Sequence, residues 1–328
     1  MSSCQICLAS EGETFVVQER MFGTREEFEY FECADCGCLQ LEAIPEEMSR
    51  YYPSGYYSFG GESRNDISTS GFKTRLKQKR DQAVLMGQTG AFRLLANWYP
   101  NPELEKMSRW FIPTGVRSLK CSILDVGCGA GDLLKRLHAM GFSNLTGIDP
   151  YRETSDEAPG LKLLAQNLEE LGETPYDLIM LHHTFEHLPD PIQVLQDIER
   201  KLTPNGCCVI RIPVKSEGAW KRYGVHWGEI DAPRHFFLHT EESLSRAAKS
   251  AGLEVFDTLY EDDPFPYYLS ELYLRDISLS EIQNGTQTEW ERIFSAEELE
   301  QMKQLARENN RPGFASRAAF LLKPSESV

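Results

Sequence analysis

From Ser122 onward the chain alternates apolar runs of four to six residues with longer amphipathic segments, the pattern of buried strands and covering helices in a mostly parallel sheet. The runs predict strands over 122–126, 145–149, 161–164, 177–182, 207–212, 254–260 and 316–323. Helical periodicity predicts helices near 131–140, 190–202 and 240–251 between them. Upstream, residues 73–110 carry Leu76, Val84, Leu85, Phe92, Leu95 and Leu104 at helical spacing, interrupted at Pro100 and Pro102. Residues 45–72 set Pro53, Gly55, Gly60, Gly61 and Gly71 among tyrosines and read as an irregular connector. The first 40 residues read as short strands over 14–18 and 27–32, too small a unit to build a core unaided. The expected fold is α/β, a doubly wound, mostly parallel seven-stranded sheet with a small amino-terminal unit, divided as 1–45, 46–84 and 85–328.

Cysteine usage gives that small unit a reason to fold. The chain has nine cysteines, five of them within the first 38 residues, which is not the spread of a secreted disulfide framework. Cys4-x2-Cys7 and Cys33-x2-Cys36 supply two matched thiolate pairs, and Gly37 eases the turn after the second. The 25 residues between the pairs accommodate one hairpin, so the segment reads as a zinc ribbon. Unligated cysteines and a redox pair are the alternatives. Four thiolates leave no position for a metal-bound water, so the expected zinc is structural. Cys38 is spare, and Cys121, Cys128, Cys207 and Cys208 read as small buried hydrophobes.

A formal charge of −16 opposes binding to exposed phosphate backbones, so nucleic acid is not an expected partner. The local basic run Lys73, Arg75, Lys77, Lys79 and Arg80 reads as a solvated helix face, with a diphosphate contact as the alternative. No apolar run reaches bilayer length and no leader pattern opens the chain, so membrane insertion is not expected and a cytoplasmic location is.

The chemistry-bearing stretch is Ile123-Leu124-Asp125-Val126-Gly127-Cys128-Gly129-Ala130-Gly131, a buried strand followed by three glycines at alternate positions and then a helix. Backbone there must turn tightly and admit a ligand closely. Thr146-Gly147-Ile148-Asp149 follows one helix and one strand later, ending in a carboxylate able to accept both hydroxyls of a ribose. A nicotinamide dehydrogenase would place its third glycine one position later. The stretch instead resembles motif I of the class I S-adenosylmethionine-dependent methyltransferases, D-x-G-x-G-x-G, and the resemblance covers roughly residues 85–325. It implies a Rossmann-like methyltransferase fold in which Asp125 lies near the methionyl end of S-adenosylmethionine. It also implies that Gly127, Gly129 and Gly131 pass beneath the cofactor, that Asp149 holds the ribose, and that Asn167 and Leu168 contact adenine.

Strand 177–182 runs into His182-His183-Thr184-Phe185-Glu186-His187-Leu188-Pro189-Asp190-Pro191, placing polar groups at the sheet edge where ligands of parallel sheets gather. The phrase Phe-Glu-His-Leu-Pro-Asp-Pro also resembles that family. His182 and His183 point opposite ways, and His182 is assigned to the cofactor side. His187, His183 and His235 are candidate bases for proton removal from an acceptor, with Glu186 beside them. A purely structural role for Glu186 and His187 stands beside the catalytic one. His183, Glu186 and His187, with His235 or His239, also supply ligand types for a divalent metal.

The segment from Trp227 to Thr240, with Asp231, Pro233, Arg234 and His235, resembles a stretch of bacterial methyltransferases that carry an amino-terminal zinc ribbon and act in sugar and surface-glycan pathways. The tyrosine-rich phrase from Tyr51 to Ser58 resembles another feature of that group and reads as packing or as a sugar-lining surface. Arg234 has two readings, a diphosphate contact or a pair with Asp231. The resemblance implies methyl transfer to a sugar, nucleotide-linked or glycan-linked. The alternatives are a metal-assisted small-molecule or quinone O-methyltransferase and a noncatalytic module that binds the cofactor.

Overall fold

The computed structural model describes residues 3–52, 71–282 and 287–325. The strands are β1 Gly12–Gln18, β2 Glu27–Cys33, β3 Leu39–Leu41, β4 Ile123–Val126, β5 Leu145–Ile148, β6 Asp156–Ala158, β7 Leu161–Leu164, β8 Tyr176–His182, β9 Leu202–Pro213, β10 Phe237–Leu238, β11 Leu253–Tyr260 and β12 Arg317–Pro324. The helices are α1 Phe72–Leu85, α2 Ala91–Trp98, α3 Pro102–Phe111, α4 Asp132–Ala139, α5 Pro191–Lys201, α6 Trp220–Tyr223, α7 Glu241–Ser250, α8 Phe265–Leu274, α9 Gln287–Ile293 and α10 Ala296–Asn309. No helix among the described residues is long and apolar enough to cross a membrane.

The larger sheet has the order β11-β12-β9-β8-β4-β5-β7-β6. Its centre, β9-β8-β4-β5-β7, is parallel, and β12 enters antiparallel between β9 and β11. Eight strands stand where seven were expected. The additional β6 is three exposed residues, Asp156-Glu157-Ala158, hydrogen-bonded antiparallel to edge strand β7. It has no apolar run because neither of its faces is buried, which is why the pattern did not show it. Period-two alternation feeds both faces of the central strands. Leu124, Val126, Ile179 and Leu181 enter one core with Leu195 of α5 and Leu244 of α7, whereas Ile123, Leu178 and Met180 enter the other with Leu104 of α3 and Leu134 of α4. Asn101, Asp190 and Thr240 cap α3, α5 and α7 with side-chain acceptors. Of the basic run on α1, Lys73, Arg75, Lys77 and Lys79 are exposed, as expected of a solvated helix face, whereas Arg80 is largely buried and donates to Asp81 and the Tyr99 carbonyl.

The amino-terminal unit does not form its sheet alone. Its order is β1-β2-β3-β10, so the outer strand comes from Phe237 and Leu238, paired with Gln40 and Leu39. Tyr30, Phe31 and Leu39 of the unit share the core that contains α5 and α7. Lys215 and the Trp220 indole both donate to Glu32, at 2.6 and 3.1 Å. Arg234 joins the two parts most firmly. Its side chain has no exposed surface, donates to both oxygens of Asp231 (2.9 and 2.6 Å), to Glu19 Oε1 (3.0 Å) and to the Tyr51 carbonyl (3.2 Å), and lies over the Phe22 ring. Glu19, equally buried, also accepts from the backbone of Phe22 and Thr24.

Removing one member of a buried ion network leaves the others charged and unneutralised, at a cost of about 3–5 kcal/mol. Arg234→Met should therefore lower unfolding free energy in urea by about that amount. A loss below about 1 kcal/mol, the scale of a surface pair, would contradict the reading of this network as buried.

Candidate active site

The loop after β4 is built for close backbone approach. Gly127, Gly129 and Gly131 have φ of 74°, 51° and 80°, the left-handed region that side chains disfavour. A Cβ on Gly127 would fall 2.3 Å from Thr184 Oγ1, and one on Gly131 would fall 2.5 Å from the Leu163 side chain. The loop therefore touches both the segment after β8 and strand β7. Asp149, at the end of β5, anchors it. One carboxylate oxygen accepts from the Gly129 N–H (3.0 Å) and the other from the Tyr151 N–H (2.9 Å), while Arg152 donates to the Gly129 carbonyl.

Asp125 lies within β4, and its Oδ1 is buried with no hydrogen-bond partner among the described residues. Burial, reinforced by the nearby Asp149 charge, raises its pKa to about 7. An orphaned, acid-shifted carboxylate beside a glycine cradle is a place where a cationic ligand relieves a strained charge. Beyond β7, Asn167 is exposed with its N–H donated to Glu170, and Leu168 is buried. His182, the last residue of β8, has its ring 4.8 Å from that of Trp110 and its Nδ1 3.3 Å from Arg211, with Nε2 buried and without a hydrogen-bond partner among the described residues. Burial first, then the Arg211 charge, pushes its pKa well down.

His183 turns the other way at a φ of 52°, half exposed, with Nδ1 3.5 Å from Glu186 Oε1. Glu186 is fully buried. Burial raises its pKa, but His183, His187 and His235 more than offset that and hold it at about 2. His187 donates Nδ1–H to the Arg234 carbonyl (2.8 Å), and the Tyr52 hydroxyl is 3.3 Å from the same nitrogen. Burial, with the neighbouring His235, lowers the pKa of His187 to about 4. His235 donates Nδ1–H to the Glu229 carbonyl (2.7 Å), and the two rings meet edge to face at 4.7 Å.

Glu186, His187 and His235 thus converge, with one ligand atom of each within 4.8 Å of the others. His239 does not join them. It is stacked between Phe185 and Phe237, with Nδ1 3.2 Å from the Ser243 hydroxyl. Arg234 is wholly engaged by Asp231, Glu19 and Tyr51, so the pairing reading stands over the diphosphate one.

The amino-terminal unit reaches this cluster directly. The Tyr30 hydroxyl donates to the His235 carbonyl (2.8 Å), the Leu41 N–H to the Phe236 carbonyl (2.8 Å), and the Phe236 N–H to the Glu186 carbonyl (2.8 Å). Tyr52 stacks on Tyr151 at 6.2 Å, bridging the end of β5 and His187. The remaining tyrosine-rich phrase, 53–58, lies outside the described residues. Tyr30 and Glu19 were not singled out by the sequence, because their partners are remote along the chain, and Tyr52 was named only within the tyrosine-rich phrase, without its partner His187. Only the Asp231-x2-Arg234 spacing hinted at the network.

Cys4, Cys7, Cys33 and Cys36 form a second convergent cluster. Cys4 and Cys36 sulfurs are 3.5 Å apart, as are those of Cys7 and Cys33, and all four lie within 4.8 Å. Ligands 2.3 Å from a tetrahedral ion would be about 3.8 Å apart, so this donor set fits a closed zinc site. Thr240, the cap of α7, donates to the Cys36 carbonyl (2.7 Å) and ties this cluster to the larger domain. An open cleft lined by Thr114, Arg117, Lys120, Asp177 and Asn205 shares no residue with either cluster or with the glycine loop.

A family model described as a methyltransferase domain matches residues 87–258, more than half of the chain. The chain is 33% identical over 136 residues to a ubiquinone biosynthesis O-methyltransferase of Rickettsia conorii, covering 39% of this chain and 44% of that protein. It is 35% identical over 152 residues to the protein of that name from Aeromonas salmonicida, covering 41% and 63% respectively. The chain therefore spans less than two thirds of either relative. Among solved structures, a putative sarcosine dimethylglycine methyltransferase from Galdieria sulphuraria aligns at 21% identity and a TM-score of 0.42, covering 69% of this chain and 88% of that one. The cyclopropane synthase MmaA2 from Mycobacterium tuberculosis aligns at 17% and 0.43, covering 79% and 99%.

The shifted acid of β4 has a measurable signature. An unfolded aspartate titrates near about 3.9, so between that value and about 7 the folded protein holds more of this proton than the unfolded chain. This residue's contribution to stability should fall as pH rises through that window, with a slope of at most about 1.4 kcal/mol per unit, and level off above it. Urea titrations of Asp125→Asn against the parent protein from pH 4 to 8 should show the variant gaining relative stability with pH. A difference that does not change with pH would contradict the shift.

Proposed function

Because the chain belongs to the class I S-adenosylmethionine-dependent methyltransferase family, we propose that it transfers a methyl group from S-adenosylmethionine to a sugar, nucleotide-linked or glycan-linked. The observation that carries the methyl-transfer part is the union of a three-glycine cradle, the orphaned Asp125 carboxylate and the Asp149 carboxylate at adjoining strand ends. Each Asp149 oxygen accepts one backbone N–H and retains a lone pair, the capacity needed for the two ribose hydroxyls. Asp125 would face the cationic methionyl end, and Asn167 and Leu168 the adenine. When bound, the cofactor supplies an electrophilic methyl on a sulfonium. The chain's own task is to align the acceptor with it and to take the acceptor's proton.

His187 is suited to that second task. It is neutral at ordinary pH, and its Nδ1–H is committed to a carbonyl, which leaves Nε2 able to accept a proton. Its position beside Tyr52 and Tyr151 supports placing a polar acceptor here, since tyrosines offer both a flat apolar face and a hydroxyl to a sugar ring. The four-cysteine cluster would hold a structural zinc that keeps Tyr30 against His235. A second reading, a quinone-type phenolic acceptor, is favoured by the names of the curated relatives.

Transfer of labelled methyl from S-adenosylmethionine into a panel of nucleotide sugars, with a prenylated catechol in parallel, distinguishes the readings. The proposal expects label in a sugar and a fall of at least about 100-fold in kcat for His187→Ala. Label in the catechol alone would replace the sugar reading. Absence of binding to S-adenosylhomocysteine by folded protein would remove the cofactor assignment itself.

A further inference from the structure

We infer that Glu186, His187 and His235 bind one first-row divalent cation of the zinc, iron(II) or manganese(II) class, at a site separate from the cysteine cluster. The three ligand atoms lie within 4.8 Å of one another, yet neither Glu186 oxygen has a hydrogen-bond partner among the described residues. The groups converge without bonding to each other. Ligands about 2.1 Å from a tetrahedral ion sit about 3.4 Å apart, so an ion between these side chains would draw them together by small rotations.

Both imidazoles are already set for ligation. Nδ1–H of His187 is fixed by the Arg234 carbonyl and that of His235 by the Glu229 carbonyl, which makes Nε2 the nitrogen of each ring available to a cation. A backbone carbonyl behind the distal ring nitrogen is the usual arrangement that orients a ligating histidine and raises its basicity. Glu186 supplies the independent observation. It is a fully buried carboxylate with neither oxygen hydrogen-bonded among the described residues, and His183, half exposed, lies 3.5 Å from its Oε1. The neighbouring imidazoles favour its charged form through space, but no donor among the described residues occupies either oxygen, and a bound cation would fill that place.

The donor types set the class of ion. Two imidazoles and one carboxylate suit borderline first-row ions over magnesium or calcium, and three protein ligands leave positions for exogenous oxygen donors. This distinguishes the site from the cysteine cluster, whose four sulfurs close its coordination sphere. In the cation-loaded protein His187 and His235 act as ligands, so the proton-accepting role proposed above for His187 passes to the half-exposed His183, and the loss expected for His187→Ala then reports a missing ligand. The inference does not depend on what acceptor the enzyme uses.

Dialysis of the full-length protein against cobalt(II) alone, with no cofactor or acceptor present, tests the site apart from methyl transfer. The parent protein should load two ions per chain, and His187→Gln and His235→Gln each one. The thiolate-to-cobalt absorption of the cysteine site should be undiminished in both variants, which also reports their folding. Should a variant lose that absorption, manganese(II) titration of the parent protein decides the matter, with selective broadening of the His187 and His235 ring resonances expected. One ion per chain in the parent, two in folded variants, or unbroadened resonances would each overturn the inference.

Discussion

A guanidinium with no exposed surface must be neutralised from inside, and the neutralisation of Arg234 is the constraint from which the rest of this architecture follows. Its partners are Asp231, three residues away, and Glu19, 215 residues away. Folding is thereby obliged to bring the cysteine-bearing unit onto the loop that carries His235. Glu19 serves because its own turn is closed by the N–H groups of Phe22 and Thr24, and that turn joins β1 to β2, the strand that ends in Cys33. The charge pair adds specificity to a contact that apolar burial alone would leave free to slide.

Consequences for the site follow through hydrogen bonds. Tyr30 fixes the carbonyl of His235, β3 fixes that of Phe236, and Phe236 in turn fixes that of Glu186. The position of the histidine cluster is therefore determined by the amino-terminal unit as much as by the large sheet. By contrast the glycine loop, Asp125 and Asp149 are positioned by β4, β5, β7 and the segment after β8. The glycine loop thus lies within the family domain, whereas the histidine cluster is held in part by the appended cysteine-bearing unit.

Much of the large sheet was legible in the sequence because its central strands, β4 and β8 above all, are buried on both faces and so appear as continuous apolar runs. The expected strands 122–126, 145–149 and 161–164 correspond closely to β4, β5 and β7. Several segments with neither such a run nor a clear period were not found. β6 is wholly exposed, β10 is two residues long, and α8 begins beside Pro264 and Pro266 with an apolar surface too continuous to show a period. The glycine triplet was legible because positive φ selects glycine locally. The choice between His235 and His239 was not, since it depends on which of two buried positions a short strand turns toward Glu186. Arg234 carried two readings until its partners were known, and one of them is 215 residues distant.

The central claim is that the cysteine unit organises the histidine site, and native-state hydrogen exchange tests it most directly. In a Cys7→Ser/Cys33→Ser double variant the account predicts faster exchange in segments 183–188 and 234–239, with the amides of β4 and β5 as protected as in the parent protein. Faster exchange confined to residues 3–41, with both histidine segments unchanged, would contradict it.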